Sequence, residues 1–330
     1  MKDKSICYVA GHSGGHIIPS ITHAKKELEH NSNTKILFFC TNAELDKKIL
    51  EKHEFLNTVY LPITNIPKNK LLLPKFCINL LVSFVKSLYL LKKHNIKNII
   101  SMGGLVSLPV CFAGKILGIS IQLYELNVEP GKAINLLSKL TTDVNICFPV
   151  TQKYFPKTKC NLVSYPVRFN NDIKNITQEA ALQKINLNAE FKTILVLGGS
   201  QGSLFLNNLI KQFVKENSNL KLQIIHQTGQ LDNFDWQSFY KELNIPAITF
   251  DYHHEPEYYY IACDIIICRS GAGTLAEILF FQKKCLTIPL QTSYTNHQKY
   301  NALELEKLYP DLIHVIEQNK VNNLDIKKLI

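Results

Sequence analysis

"CYVAGHSGGHIIPS" (Cys7–Ser20) and "ILVLGGSQGSLFLN" (Ile194–Asn207) are the two stretches that decide the fold. Each runs from an apolar segment through a glycine turn into an amphipathic segment. That order predicts a β-strand, a turn whose N–H groups can face a phosphate, and a helix, as in a Rossmann-like unit. Because the pattern occurs once in each half of the chain, we predict two such units.

The rest of the chain extends both patterns, since short β-branched or aromatic runs alternate with amphipathic stretches. This alternation predicts parallel sheets covered by helices, which is an α/β fold. The predicted strands of the first half are Ser5–Ala10, Thr34–Cys40, Thr58–Ile63, Asn98–Met102, Ser120–Tyr124 and Asp143–Ile146. Those of the second half are Thr193–Leu197, Lys221–His226, Ala247–Phe250, Asp264–Ile267 and Cys285–Ile288.

A length of 330 residues is more than one domain usually holds. We therefore predict an N-terminal domain over residues 1–165 and a C-terminal domain over residues 166–330, each a doubly wound parallel sheet, facing each other across a cleft. The polar segment from about Pro166 to Glu190 is interpreted as the connection between them.

Cysteine usage and the short N-terminal apolar run predict that the protein stays inside the cell. Nine scattered cysteines without a CxxC pair argue against a disulfide framework and against a zinc site. The apolar run Ile6–Ala10 is too short for a secretory signal. With 46% hydrophobic and 19% charged residues, the chain has the composition of a folded globular protein.

The formal charge of +10 is concentrated in one segment. Between Phe55 and Tyr124 there is no Asp or Glu, whereas eight lysines fall inside: Lys68, Lys70, Lys75, Lys86, Lys92, Lys93, Lys97 and Lys115. No nucleic-acid-binding motif accompanies this charge, so an anionic lipid surface is the preferred partner and nucleic acid is not expected.

The segment Lys70–Lys93 is strongly apolar around a narrow polar stripe of Asn79, Ser83, Lys86 and Ser87. Its uninterrupted apolar run is shorter than the roughly 20 residues that a membrane-spanning helix needs. We predict a helix that docks on the membrane surface, with lysines at its ends. The predicted contact residues are Phe76, Leu80 and Phe84, and a fully buried core helix is the alternative.

Four glycine turns follow predicted strands, at Gly11–His16, Met102–Ser107, Gly198–Gly202 and Ser270–Thr274. All should lie at the carboxyl ends of parallel strands, where doubly wound sheets bind ligands. No Gly-Lys-Ser/Thr sequence follows, which disfavours nucleotide hydrolysis. Glu277, one turn into the helix after the fourth turn, could bind ribose hydroxyls, and its alternative role is that of a solvated or capping carboxylate.

Nearly the whole chain resembles the MurG family of transferases, glycosyltransferase family 28. The resemblance rests on seven stretches in the family's order: "AGHSGGHIIPS", "MGGLVSLPVCFAGKILGI", "ELNVEPGKAINLL", "YPVR", "LGGSQGSLFLN", "CRSGAGTLAEI" and "NHQKYNA". It implies the two-domain GT-B fold and inverting transfer of N-acetylglucosamine from UDP-N-acetylglucosamine to the undecaprenyl-diphosphate-linked muramyl-pentapeptide of peptidoglycan synthesis. It also implies no cofactor, no metal ion, and a peripheral place on the cytoplasmic face of the bacterial membrane, where other cell-wall synthesis proteins are further candidate partners.

The resemblance also implies the donor site. The diphosphate would lie on Gly271, Ala272, Gly273, Thr274, Leu275 and Ala276, the ribose on Glu277, and Ser200 near the phosphates. Arg168 and the backbone near His253 or His254 would flank the uracil. The sugar would be reached by His297 and Gln298, and the site closed from the N-terminal domain by Ser13, Gly14, Gly15 and Asn127.

An inverting transfer needs a general base for the acceptor hydroxyl. His16, at the end of the first glycine turn, is the first candidate, because imidazole titrates near neutral pH. Glu125 is the rival, with orientation of a neighbour as its alternative role, and His12 is interpreted as an incidental loop residue. The acceptor diphosphate is assigned to Gly14, Gly15, Gly103 and Gly104.

The chain departs from the family at Tyr124, Leu126 and Leu105, and it lacks the family's long C-terminal helices after Lys327. These departures lie on the acceptor side. They leave open two alternatives: a related GT-B transferase with a different lipid acceptor, and a non-catalytic derivative that binds a sugar nucleotide.

Overall fold

A computed structural model describes residues 4–199, 201–230, 232–251, 253, 255–290 and 296–330. The chain divides into two units, unit 1 (Met1–Arg168) and unit 2 (Phe169–Ile330). The boundary falls three residues later than the one predicted between residues 165 and 166. Arg168, which was assigned to the C-terminal domain, is therefore the last residue of unit 1.

Unit 1 is built on a parallel sheet in the order β3-β2-β1-β4-β5-β6-β7. Its strands are β1 (Ser5–Val9), β2 (Lys35–Thr41), β3 (Asn57–Leu61), β4 (Asn98–Ser101), β5 (Ser120–Glu125), β6 (Asp143–Ile146) and β7 (Lys159–Leu162). Its α-helices are α1 (Gly14–His30), α2 (Glu44–Leu50), α3 (Leu73–Lys93), α4 (Ser107–Ile116) and α5 (Lys132–Leu137). Short 3₁₀ turns occupy Lys70–Leu72, Ser138–Leu140 and Pro149–Tyr154.

The core of unit 1 lies on both faces of this sheet. Alternate residues of β1 point to opposite sides, so Cys7 and Val9 join one buried cluster whereas Ile6 and Tyr8 join the other. Helices cover both faces, which explains why the central strands are apolar throughout instead of alternating.

Unit 2 repeats this plan with the order β10-β9-β8-β11-β12-β13, again all parallel. Its strands are β8 (Lys192–Leu197), β9 (Leu222–Gln227), β10 (Ala247–Phe250), β11 (Ile265–Cys268), β12 (Lys284–Thr287) and β13 (Ile313–Val315). Its α-helices are α6 (Gln178–Lys184), α7 (Leu204–Glu216), α8 (Trp236–Glu242), α9 (Glu257–Ala262), α10 (Ala272–Phe281), α11 (His297–Leu308) and α12 (Asn323–Lys327).

The segment from about Pro166 to Glu190, interpreted as the connection between the domains, spans the boundary between the two units and also carries secondary structure. It contains a 3₁₀ turn at Asn171–Asn175 and α6, and Gln178 donates a hydrogen bond from Nε2 to the Ala262 carbonyl, 2.9 Å away. Helix α6 buries only Ala181 and Leu182, which is why its sequence is otherwise polar. From Phe169 onward the segment therefore belongs to unit 2.

The orientation of helix α3 differs from the one that the predicted membrane contact requires. Phe76, Leu80 and Phe84 are half-buried instead of exposed, and Leu80 and Phe84 pack against the core of unit 1. Ser83 and Ser87, two members of the polar stripe, are fully buried, and the hydroxyl of each donates a hydrogen bond to the carbonyl four residues earlier. The helix thus turns its serines inward.

The outward face of α3 is apolar. It consists of residues spaced three or four apart: Ile78, Leu81, Val82, Val85 and Tyr89, all exposed. By length and composition alone, the Lys70–Lys93 segment could cross a membrane, since its apolar window has a mean hydropathy of 1.6 and is only 11% buried. The packing of Leu80 and Phe84 nevertheless makes α3 part of the covering layer of unit 1.

Candidate active site

In each sheet the strand order reverses at the first strand. In unit 1, β1 has β2 on one side and β4 on the other; in unit 2, β8 has β9 on one side and β11 on the other. The crevice outside the carboxyl ends of the strands at such a reversal is the usual ligand site of doubly wound folds. The glycine turns follow β1, β4, β8 and β11. The structure therefore places the predicted turns in two pairs, one pair in each unit.

The two turns of unit 1 touch through their backbones. A Cβ atom on Gly104 would lie 2.9 Å from the Gly11 carbonyl oxygen, and Gly104 has a φ of +86°. Gly103 is also left-handed, with a φ of +98°. Only glycine allows both the close approach at Gly104 and these backbone angles. The assignment of the acceptor diphosphate to Gly14, Gly15, Gly103 and Gly104 stays a prediction.

A buried carboxylate supports the first turn. Asp46 on α2 accepts a hydrogen bond from the His12 N–H at 3.0 Å, and further bonds from the hydroxyl of Thr41 and the thiol of Cys40. His12 itself adopts the left-handed conformation, with a φ of +66°. No sequence pattern singles out Asp46, because its partners belong to two other elements.

His16 lies between the two turns. Its Nδ1 is 3.4 Å from the Gly11 carbonyl, an oxygen that can only accept, so Nδ1 carries the proton in this contact. In the neutral ring Nε2 is then the basic nitrogen. Nε2 faces Gly103, since a Cβ on Gly103 would lie 3.6 Å from it. The preceding Ser13 is the N-cap of α1 in extended conformation, and Gly14 and Gly15 form the start of that helix.

Glu125, at the end of β5, is almost fully buried and serves its own loop. One carboxylate oxygen accepts from the Asn127 N–H and Nδ2, at 2.9 and 3.2 Å, and the other accepts from the Gly131 N–H at 2.9 Å. Burial raises the pKa of Glu125 to about 7, and the hydrogen bonds from Asn127 and Gly131 oppose that rise. The carboxylate therefore orients Asn127 in this structure.

The two turns of unit 2 are tied together by Arg269, which the sequence interpretation missed. This buried side chain donates from Nε to Ser203 Oγ at 3.0 Å, from Nη1 to the Ile288 carbonyl at 3.1 Å, and from Nη2 to Gln318 Oε1 at 2.9 Å. Ser203 is the N-cap of α7, and Arg269 directly follows β11. An arginine directly before "SGAGT" was the available signal.

Helix α10 carries the predicted diphosphate turn. Gly271 is its N-cap and makes no side-chain cap, so Ala272, Gly273 and Thr274 open the helix with unpaired N–H positions of the first turn. Leu275 is fully buried and Ala276 is half-buried. The fully buried hydroxyl of Ser270, just before the helix, finds no hydrogen-bond partner among the described residues.

Glu277 lies on the same face of α10 as Gly273 and Thr274, because residues three and four apart share a helix face. It is half-buried, and its Oε2 accepts a hydrogen bond from the hydroxyl of Tyr260 at 2.7 Å. The sequence interpretation did not include Tyr260. Tyr260 and Glu277 are 17 residues apart and lie in different helices, so the sequence did not indicate this contact.

The structure describes three of the remaining predicted donor residues, Gln298, His297 and His253. The Oε1 atom of Gln298 accepts a hydrogen bond from the Leu290 N–H at 2.9 Å. His297 begins α11 and is half-buried. The ring of His253 packs on Tyr259, with centroids 4.8 Å apart. Ser200 and His254 lie outside the described residues.

Two Rossmann-like units, each with a pair of glycine turns at the strand reversal of its sheet, have the architecture of the GT-B fold. Residues 6–146 match the glycosyltransferase family 28 N-terminal domain, and residues 193–330 match the family 28 C-terminal domain. The chain belongs to glycosyltransferase family 28, as its resemblance predicted.

Relatives agree over most of the chain. A protein of Pelagibacter ubique (strain HTCC1062), named UDP-N-acetylglucosamine--N-acetylmuramyl-(pentapeptide) pyrophosphoryl-undecaprenol N-acetylglucosamine transferase, is 32% identical and covers 93% of this chain and 83% of its own length. A protein of the same name from Protochlamydia amoebophila (strain UWE25) is 29% identical, covering 99% and 86%. The crystal structure of Acinetobacter baumannii MurG shares the fold, with a TM-score of 0.74, 22% identity, and coverage of 99% and 89%.

Proposed function

We propose that this chain transfers N-acetylglucosamine from UDP-N-acetylglucosamine to the undecaprenyl-diphosphate-linked muramyl-pentapeptide. The names of the relatives supply the two substrates. The observation that carries the proposal is the pairing of glycine turns at the strand reversal of each sheet. A reaction between two diphosphate-bearing substrates needs two such places, and each unit provides one.

The donor side of the proposal rests on α10. A diphosphate at its N-terminus would meet the first-turn N–H groups and the positive end of the helix dipole. Glu277 lies about one turn, or 5.4 Å, further along the axis on the same face as Gly273. That offset suits a ribose attached to the bound diphosphate. Gln298 and His297 at the start of α11 are then the proposed contacts of the sugar.

The proposed base is His16. The bond from its Nδ1–H to the Gly11 carbonyl leaves Nε2 to take the proton from the attacking acceptor hydroxyl. The hydroxyl oxygen forms a bond to the anomeric carbon while the bond from that carbon to the diphosphate breaks, and UDP leaves with the electron pair. Glu125 is proposed as a positioning residue for Asn127, since both of its oxygens accept from its own loop.

Stabilisation of the departing UDP is assigned to the protein's own dipoles. The N–H groups that begin α10 are fixed before the reaction, so they can stabilise developing negative charge without rearranging. On this basis we propose that transfer needs no metal ion. A chelator such as EDTA should leave the rate unchanged, and a loss that added Mg²⁺ restores would contradict this assignment.

We further propose that the acceptor is met at an anionic membrane surface through α3. Its outward face is apolar, and Lys75, Lys92 and Lys93 flank that face along the helix. Apolar side chains that enter a lipid interface, together with lysines that meet its negative charge, give additive binding.

The test is release of UDP from UDP-N-acetylglucosamine, measured with and without the lipid-linked muramyl-pentapeptide in detergent. We expect release that depends on the acceptor, and His16→Ala should lower kcat by about 100-fold or more while leaving UDP affinity unchanged. If UDP binds but this acceptor gives no release, the acceptor assignment is wrong and a different lipid acceptor takes its place. If His16→Ala keeps the full kcat, the base is another group.

A further inference from the structure

Tyr260 is a buried tyrosine whose ring is fixed on two sides. It lies on α9, is 2% exposed, and stacks on Phe281 with centroids 5.1 Å apart and planes only 8° from parallel. Phe169 meets the same ring at a steep angle, with centroids 5.9 Å apart. The packing of the ring therefore fixes the position of the hydroxyl oxygen.

The Tyr260 hydroxyl oxygen lies next to the carboxylate of Glu277. The Tyr260 hydroxyl donates to Oε2 at 2.7 Å, which is the usual length of an O–H···O hydrogen bond. A glutamate side chain has several rotatable bonds and loses rotamer freedom when it binds a ligand. A donor on a rigid ring removes part of that freedom beforehand. One such bond leaves acceptor capacity, because a carboxylate has about four lone-pair positions.

We propose that Tyr260 is a positioning residue that aims Glu277 at the ribose of the donor and thereby sets the preference for a ribonucleotide over a 2′-deoxyribonucleotide. The inference rests on the proposed function, which places the ribose on Glu277. A site arranged to bond a hydroxyl discriminates strongly against a ligand that lacks it, since the polar group of the site is then left unpaired. Tyr260 acts through Glu277 and need not touch the donor.

The competing role is structural, since the same ring joins α9 to α10. Tyr260→Phe separates the two roles because it keeps the ring and its stacking on Phe281 and removes only the hydroxyl. Tyr240→Phe is the matched control. Tyr240 is equally buried, and its hydroxyl bonds to His226 Nδ1 at 2.9 Å, a contact remote from α10.

The experiment measures the Kd of UDP and of 2′-deoxy-UDP by calorimetry on the full chain. In Tyr260→Phe we expect UDP to bind about tenfold more weakly while 2′-deoxy-UDP binds nearly as before, so the ratio of the two Kd values falls by about tenfold. KM for UDP-N-acetylglucosamine should rise with kcat within about twofold. Tyr240→Phe should leave the ratio unchanged.

A double-mutant cycle with Glu277→Ala tests whether Tyr260 acts through the carboxylate. In the Glu277→Ala background, Tyr260→Phe should cause no further change in the ratio, and an additive loss would overturn the inference. An unchanged ratio in Tyr260→Phe alone would also overturn it, even if the variant is less stable. If the unsubstituted protein binds UDP but does not discriminate against 2′-deoxy-UDP, the inference fails and the proposed transfer stands. If it binds no UDP, the proposed function fails as well.

Discussion

At the scale of single residues, the site depends on side chains that hold other groups in place. Asp46 holds the first glycine turn through the His12 N–H, Glu125 holds Asn127, and Arg269 joins the two turns of unit 2. The sequence identified glycines and candidate bases, since these follow strands in a recognisable order. Arg269 could have been found from its place directly before "SGAGT", whereas Asp46 could not, because its contact with the His12 N–H joins parts of the chain 34 residues apart and is decided by packing.

Glu125 should make stability depend on pH. Its pKa is raised from 4.5 to about 7 in the folded state by burial, so the stabilisation is fully present below pH 4.5 and is lost as pH rises through about 7. The loss is about 3 kcal/mol in the free energy of unfolding. Urea unfolding between pH 5 and pH 8 measures it. Glu125→Gln, which cannot ionise, should flatten this part of the profile, and an equal slope in both proteins would contradict the assignment.

His12→Gly should stabilise the protein. A left-handed backbone costs a residue with a side chain about 1–2 kcal/mol, and glycine adds about 0.5–1 kcal/mol of entropy cost in the unfolded chain. The φ of +66° at His12 therefore predicts a net gain of about 0.5–1 kcal/mol in urea unfolding. Asn186→Gly, at a φ of +58°, is the control and should gain less, because asparagine tolerates this conformation. A loss of stability in His12→Gly would mean that the imidazole makes a stabilising contact.

At the scale of elements, most strands could be placed from the sequence within one or two residues, because buried parallel strands are short apolar runs bounded by turns. β7 and β13 were missed, since "KCNL" and "IHV" at the sheet edges carry too little apolar character. The face of α3 was assigned the wrong way round. Both of its faces carry apolar residues at helical spacing, and serines that bond to the preceding turn of their own helix can be buried without another partner.

The inverted face of α3 gives a paired prediction. Leu81→Ser, on the outward face, should change the free energy of unfolding by less than about 0.5 kcal/mol but weaken binding to anionic vesicles by about tenfold. Ser83→Leu, two residues on and fully buried, should destabilise by about 1–3 kcal/mol through overpacking. Vesicle cosedimentation and urea unfolding measure the two effects. Equal vesicle binding by Leu81→Ser and the unsubstituted protein would remove α3 from the membrane contact.

At the scale of the whole molecule, each unit has a core of its own. The clusters around β1 and β4 and around β8 and β11 consist of different residues, so each sheet can lose its packing separately. The presence of two doubly wound parallel sheets could be predicted from the repeated opening pattern. That α6 belongs to unit 2 could not be predicted, because its polar sequence resembles a connection and only its contact with α9 shows otherwise.

UDP should therefore stabilise one unit selectively. At 100 times its Kd, it should add about 2.7 kcal/mol to the unfolding of unit 2 and leave the transition of unit 1 unchanged. Calorimetry reports the two transitions, and hydrogen exchange should show slower exchange at residues 271–277 but not at residues 11–16. Protection confined to residues 11–16 would place the nucleotide in unit 1 and reverse the assignment.

The backbone contact between Gly202 and the turn after β9 also has a genetic consequence. A Cβ on Gly202 would lie 2.6 Å from the Cα of Gly229, so an alanine at either position forces the two loops apart while the strands beneath keep their packing. Such a chain should still fold in the cold and lose the proposed donor site on warming. Cells with Gly202→Ala as their only copy of the gene are then expected to grow at low temperature and to lyse at high temperature, which makes this contact a source of conditional alleles.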